Sequence, residues 1–154
     1  MRTVETVELK CKRVRPGPAL PIPNYRSEFA SGMDLYADIE VEILLQPLER
    51  KAIPTGLAIE IPPGYEGQVR PRSGLALKEG VTCLNSPGTI DADYRGEVQV
   101  ILANLSNAPV TIHRGDRIAQ LVIAPICRAR LREVPELSGT SRGSGGFGST
   151  GRSG

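Results

Sequence analysis

Prolines and glycines cut this chain into short pieces, and most of the pieces alternate apolar and polar residues. The chain carries 13 prolines and 17 glycines. Turn-forming clusters fall at Pro47, Pro62–Gly64, Pro87–Gly88, Asn107–Pro109 and Arg114–Asp116, leaving no room for a long helix. Between them Val7, Leu9 and Cys11 alternate with Glu8, Lys10 and Lys12, and Ile39, Val41 and Ile43 alternate with Glu40 and Glu42. Leu57, Ile59 and Ile61 follow, then Val98, Val100 and Leu102, then Val110 and Ile112, then an apolar run from Ile118 to Ile126. Ala129 and Leu131 alternate with Arg128, Arg130 and Arg132. A period of two predicts strands with one buried face. The only helical candidate is Gly74–Glu79. Many short strands joined by Pro/Gly turns predict an all-β jelly-roll-like barrel or sandwich with one short helix.

The 154 residues suffice for one sizeable core. With six aromatic residues and no Trp, that core must be mainly aliphatic. No apolar run reaches the ~20 residues of a membrane-spanning helix, so no membrane partner is expected. Met1 leads into Arg2, Glu5, Glu8 and Lys10, which is not the pattern of a secretory signal. A net charge of +2 is too weak to imply a nucleic-acid partner. Cys11, Cys83 and Cys127 are odd in number and lack CxxC spacing, which argues for a reducing, cytoplasmic setting and against disulfides or a zinc site. His113 is the only histidine, so mechanisms needing several imidazoles are excluded.

Composition divides the chain into a domain at 1–137 and an arm at 138–154. The arm, SGTSRGSGGFGSTGRSG, holds seven of the 17 glycines, too few apolar groups to offset the entropy of ordering. It reads as a frayed terminus or as a lid: Phe147 offers a ring to stack and Arg142 a guanidinium for a phosphate.

Four segments of the domain carry candidate chemistry. In Pro71-Arg72-Ser73-Gly74-Leu75-Ala76, an Arg and a small hydroxyl near a helix start suit an anion, or Ser73 simply caps a turn. Asn85-Ser86-Pro87-Gly88-Thr89-Ile90-Asp91-Ala92-Asp93-Tyr94-Arg95-Gly96 reads as a tight hairpin. Its Asn85 amide matches an imide edge such as that of uracil, Asp91 suits a general base, and Tyr94 offers a flat face for a sugar. The same residues are also ordinary turn formers. His113-Arg114-Gly115-Asp116-Arg117-Ile118-Ala119-Gln120-Leu121 carries one amide, Gln120, inside an apolar run, where it needs a partner. Ser31-Gly32-Met33-Asp34-Leu35-Tyr36-Ala37 sets one acid in an apolar strand, either salt-bridged in the core or facing a phosphate-bound metal.

In order and spacing, SGMDLYA (31–37), PRSGLA (71–76), NSPGTIDADYRG (85–96), HRGDRIAQL (113–121) and RGSGGFGST (142–150) resemble the five motifs of the trimeric dUTP pyrophosphatase (dUTPase) family. The resemblance implies a homotrimer of jelly rolls that hydrolyses dUTP to dUMP and pyrophosphate, keeping uracil out of DNA and supplying dUMP for dTMP synthesis. It also implies three interfacial active sites, each capped by a C-terminal arm. By the same resemblance Asp91 activates the water that attacks the α-phosphorus, while Asn85, Thr89, Ile90 and Gln99 read uracil. Tyr94 packs under the deoxyribose, and Arg72, Ser73, Gly74 and Gln120 hold the phosphates. Phe147 stacks on uracil, Arg142, Ser149 and Thr150 meet the γ-phosphate, and Arg117 supports the phosphate site. Mg2+ is expected on the triphosphate oxygens, with Asp34 reaching it through water. The related dCTP deaminases carry a catalytic Glu five positions after the closing Gly of the hairpin. Counted from Gly96 that place is Ile101, which cannot shuttle a proton. A reading from another class is a nucleotide- or protein-binding β-module without turnover, in which Asp91 is only a turn residue.

Overall fold

The computed structural model describes residues 6–147, and over these the alternating runs become antiparallel sheets. In chain order the elements are β1 (Lys10–Arg13), β2 (Met33–Tyr36), β3 (Ile43–Leu45), β4 (Arg50–Glu60), β5 (Tyr65–Arg70), α1 (Ser73–Glu79), β6 (Val81–Cys83), β7 (Gly88–Ile90), β8 (Glu97–Asn104), β9 (Val110–Ile112) and β10 (Arg117–Pro125). One sheet has the order β1-β4-β8-β6, the second β2-β10-β5-β7, and β3 and β9 form a two-stranded ribbon. Their inward side chains share one cluster, as a jelly-roll-like barrel requires. Leu35, Leu45, Ile53, Ile61, Leu102, Ile118 and Leu121 are its largest fully buried aliphatic members. Each contributes about 1.5–3 kcal/mol by leaving water. Cys83 belongs to this core, and burial pushes its thiol up to about 11, which makes it inert.

Four local expectations need correction. Residues 39–42 are not a strand: Ile39 is buried and Val41 exposed, but pairing with β9 begins only at Ile43. Residues 128–132 are exposed and pair with no strand among the described residues, since a period of two assigns faces but supplies no neighbour. Ser73 does not cap α1; it is the first helical residue, and the cap position falls on Arg72 without a side-chain hydrogen bond. Finally, 85–96 is not a hairpin. β6 pairs with β8 in one sheet while β7 pairs with β5 in the other, so the segment crosses between sheets and back.

β4 is interrupted by a bulge. Pro54 and Gly56 lie inside it, and its pairing with β8 shifts register between Pro54 and Ala58. Such a bulge bends the strand and leaves backbone groups without ladder partners. Gly56 sits at φ 72°, and a Cβ there would collide with the Asp38 carboxylate, so only glycine fits.

Candidate active site

Two clusters of expected residues form at different places on the barrel. The first is a cleft at the start of β8. Val98, Val100 and Leu102 point into the core, so Glu97, Gln99 and Ile101 share the opposite face. With Thr89, Ile90, Asp91 and Tyr94 they line a cavity of about 390 Å³. Five of the residues expected to handle the nucleoside and the water are thus gathered in one place. The turn between β7 and β8 is self-supporting. The Tyr94 N–H donates to the Asp91 carbonyl at 3.1 Å, and the Arg95 guanidinium donates to the Ala92 carbonyl at 2.7 Å. The Tyr94 hydroxyl donates to the Glu97 carbonyl at 3.0 Å. Asn85 is not among the residues lining this cavity; it is exposed and lies against Gly88, at the other end of β7.

The second cluster surrounds Asp34, which is only 3% exposed. Arg72 Nε lies 3.3 Å from its Oδ1, while Arg117 Nη1 at 3.2 Å and Arg26 Nε at 3.6 Å flank Oδ2. Oδ1 accepts no well-aligned hydrogen bond, so charge rather than geometry satisfies it. Arg72 Nη1 also donates to the Arg117 carbonyl at 3.0 Å, and Arg26 Nη2 donates to the Tyr36 hydroxyl at 2.6 Å. Gln120 pairs with Asp34 across the β2–β10 ladder. Three guanidiniums on one carboxylate leave two positive charges in excess, partly exposed, which is a receptor for a polyanion. Ser73 and Gly74 lie beside it in sequence, exposed, and a Cβ on Gly74 would meet nothing within 4 Å. No group of three or more His, Cys, Asp or Glu side chains able to hold a metal occurs among the described residues. Direct ligation of a cation by Asp34 does not fit, because three guanidiniums already surround it.

The described part of the arm makes local hydrogen bonds. Arg142 Nε donates to the Gly145 carbonyl at 2.7 Å, Gly143 N–H to Thr140, and Phe147 is fully exposed. Ser149 and Thr150 lie outside the described residues. Sequence reasoning did not single out Arg26, Glu97 or Arg15. Glu97 was legible in principle, since it shares a strand face with Gln99; Arg26 and Arg15 sit in irregular loops where no periodicity marks them.

Within one chain the two clusters stand on different strands of the second sheet. Gln120 stands opposite Arg70 on β5, whereas Ile90 stands opposite Gly67, three residues along the same strand. With about 3.3 Å per residue and about 4.8 Å per strand, the two rows lie on the order of 14 Å apart.

The sequence profile of the dUTPase family matches residues 19–151. A deoxyuridine 5'-triphosphate nucleotidohydrolase from Anaeromyxobacter sp. (strain Fw109-5) is 59% identical over 147 residues, covering 95% of this chain and 99% of its own. One of the same name from Caldanaerobacter subterraneus is 55% identical over 146 residues, covering 95% and 99%. Among solved structures, the Staphylococcus bacteriophage 80alpha dUTPase with dUPNHPP superposes with a TM-score of 0.81 at 30% identity, covering 95% of this chain and 99% of that one. A dUTPase from S. aureus phage phi11, described for its coordination of a structural Mg(II) ion, gives 0.75 at 25% identity, covering 86% and 99%. With its domain matched nearly end to end and relatives above half identity, this chain belongs to the dUTPase family.

Proposed function

We propose that Asp91 orients and deprotonates the water by which this chain hydrolyses dUTP to dUMP and pyrophosphate. The water oxygen forms a bond to the α-phosphorus, the bond from that phosphorus to the α–β bridging oxygen breaks, and pyrophosphate leaves. The water proton passes to the Asp91 carboxylate, which acts as the general base. Thr89, Ile90 and Gln99 read uracil from the cleft, with Asn85 at the far end of β7, and Tyr94 packs under the deoxyribose. Arg72, Arg117, Gln120, Ser73 and Gly74 hold the phosphate chain, and Asp34 fixes the arginines in place. Catalysis is then mainly positioning and charge stabilisation.

The observation that carries this reading is the cavity in which Asp91, Tyr94, Thr89, Ile90 and Gln99 meet. Ile101 lines the same cavity and cannot carry a proton, which disfavours deamination of dCTP. Mg2+ is proposed to arrive on the triphosphate oxygens, where it would offset charge on the departing pyrophosphate, and Asp34 would meet it only through water.

The active unit is proposed to be a homotrimer with composite sites. The cleft and the arginine cluster stand on separate strands, on the order of 14 Å apart within one chain, and this supports a site in which the cleft of one copy faces the arginines of another. The exposed apolar residues Leu77, Leu105, Leu131 and Leu137 give such copies surface to bury. The arm at 138–154 is proposed to close over the assembled site, with Phe147 on uracil and Arg142, Ser149 and Thr150 at the γ-phosphate.

Incubation with dUTP, dCTP, dTTP and UTP in the presence of Mg2+ tests the reading. Selective release of dUMP and pyrophosphate is expected. Deaminated product from dCTP would overturn the role given to the Ile101 position, and no consumption of any nucleotide would favour a binding module without turnover.

A further inference from the structure

The cleft rests on an ion pair that the reaction itself does not use. Glu97 is the first residue of β8 and faces the cavity, with a side chain only 17% exposed. Arg15, far away in sequence, grips it with both prongs: Nε to Oε1 at 2.6 Å and Nη2 to Oε2 at 3.1 Å. The Gly56 N–H donates to the same Oε1 at 2.9 Å. That N–H lies in the stretch where the β4–β8 ladder shifts register, so the Glu97 carboxylate fills the place of a missing ladder partner. Val14 N–H donates to the Gly56 carbonyl at 3.0 Å, tying the segment that bears Arg15 to the same bulge. The Gln99 side chain stands next on the cavity face.

The other end of Glu97 reaches the nucleoside side. Its main-chain carbonyl accepts the Tyr94 hydroxyl at 3.0 Å. The ring lies so close over Gly96 that a Cβ there would collide with it. Tyr94 is thus fixed at its hydroxyl by Glu97 and close against Gly96, while the residue remains partly exposed.

We propose that Glu97, braced by Arg15, is a positioning residue that sets the height of the Tyr94 ring and thereby the enzyme's rejection of ribonucleotides. The proposal rests on the reading that Tyr94 packs under the deoxyribose. A ring held by one carbonyl anchored through a bidentate ion pair cannot sink to admit a 2′-hydroxyl. Loosening the anchor lets it do so. Arg rather than Lys is needed at position 15, because two parallel hydrogen bonds fix the carboxylate in orientation as well as in place.

The test compares kcat/KM for dUTP and UTP in the full-length protein. Arg15→Ala should lower the dUTP/UTP ratio about tenfold, mainly through better use of UTP. Arg15→Lys should fall between the two. Tyr94→Phe, which removes only the hydroxyl, should lower the ratio similarly, and combining it with Arg15→Ala should add little, because both release the same ring. A merely structural brace would lower kcat/KM for both nucleotides in parallel and leave the ratio unchanged, which would overturn the proposal. Additive effects of Arg15→Ala and Tyr94→Phe would overturn it too. Tyr94→Ala separates the two levels: an unchanged ratio there removes the sugar-packing role and the proposal with it, whereas a fallen ratio with Arg15→Ala at the wild-type value sinks the brace alone. Arg15 is approached from a partly exposed loop, so the test stands even where Glu97→Gln fails to fold.

Discussion

The nucleoside cleft and the arginine cluster are built in opposite ways. Residues 89–101 supply nearly the whole cleft, from one turn and one strand face, and every polar contact within the turn spans a few residues. The arginine cluster draws on three separate stretches of chain, at Arg26–Asp34, Arg72 and Arg117, gathered around one buried carboxylate. A locally built site tolerates loss of a side chain that braces nothing else, such as Asp91, with its geometry intact. A site hung on one buried charge loses its geometry along with that charge. Chemistry that needs exact placement of one base therefore sits in the first, and chemistry that needs only summed positive charge sits in the second.

Substitutions sharpen this contrast. Asp91→Asn should keep the cleft folded and dUTP bound while lowering kcat by about a thousandfold, read by steady-state kinetics beside nucleotide binding. A variant with near wild-type kcat would take Asp91 out of its role. Asp34→Asn should behave differently, costing about 3 kcal/mol of stability and weakening dUTP binding together, since three guanidiniums lose their shared partner. Thermal denaturation and KM should move in the same variant; a change in KM alone would mean that Asp34 does not organise the cluster. Arg26→Gln should raise KM for dUTP roughly five- to tenfold, more than it lowers kcat, because one of three charges on the polyanion is lost. An unchanged KM would restrict the phosphate site to Arg72 and Arg117.

The smallest effect concerns pH. The Arg15 guanidinium hydrogen-bonded to Glu97 holds its carboxyl below the usual carboxylate range, with the Gly56 N–H and Gln99 adding to the shift against burial. A depressed folded pKa gives stability that is complete above the unfolded value, near 4.5, and is lost as pH falls through the folded value. The stability gap between wild type and Glu97→Gln should therefore be flat from pH 6 to 8 and close only in acid. A gap that already varies near neutrality would mean that another group titrates with the pair.

Much of this organisation was legible in the sequence, and the exceptions have physical reasons. Strands with a buried face announced themselves, as in Val98–Val100–Leu102. The first half of β4, Arg50–Gly56, did not, because Pro54 and Gly56 mark a bulge and interrupt the alternation. The run at 128–132 alternates yet pairs with no strand among the described residues. The segment 85–96 looked like a hairpin because its turn residues are local, whereas its switch between sheets depends on β5 and β8. Asp34 stood out as an acid among apolar neighbours, but its arginines were separated from it by as many as 83 positions. Arg15 carried no signal, for its meaning depends on a bulge that only the folded backbone reveals.

The separation of the two clusters by most of a sheet is the feature on which the account turns, and mixing two inactive variants tests it directly. Asp91→Asn keeps its arginines and Arg72→Ala keeps its cleft, so unfolding and refolding them together should create sites with one intact half from each copy. If sites form between copies, an equal mixture should recover about a quarter of wild-type activity, the chance that a given site draws both intact halves. Activity no greater than the sum of the two separate variants would mean that cleft and arginines of the same chain act together, and the composite site would be wrong.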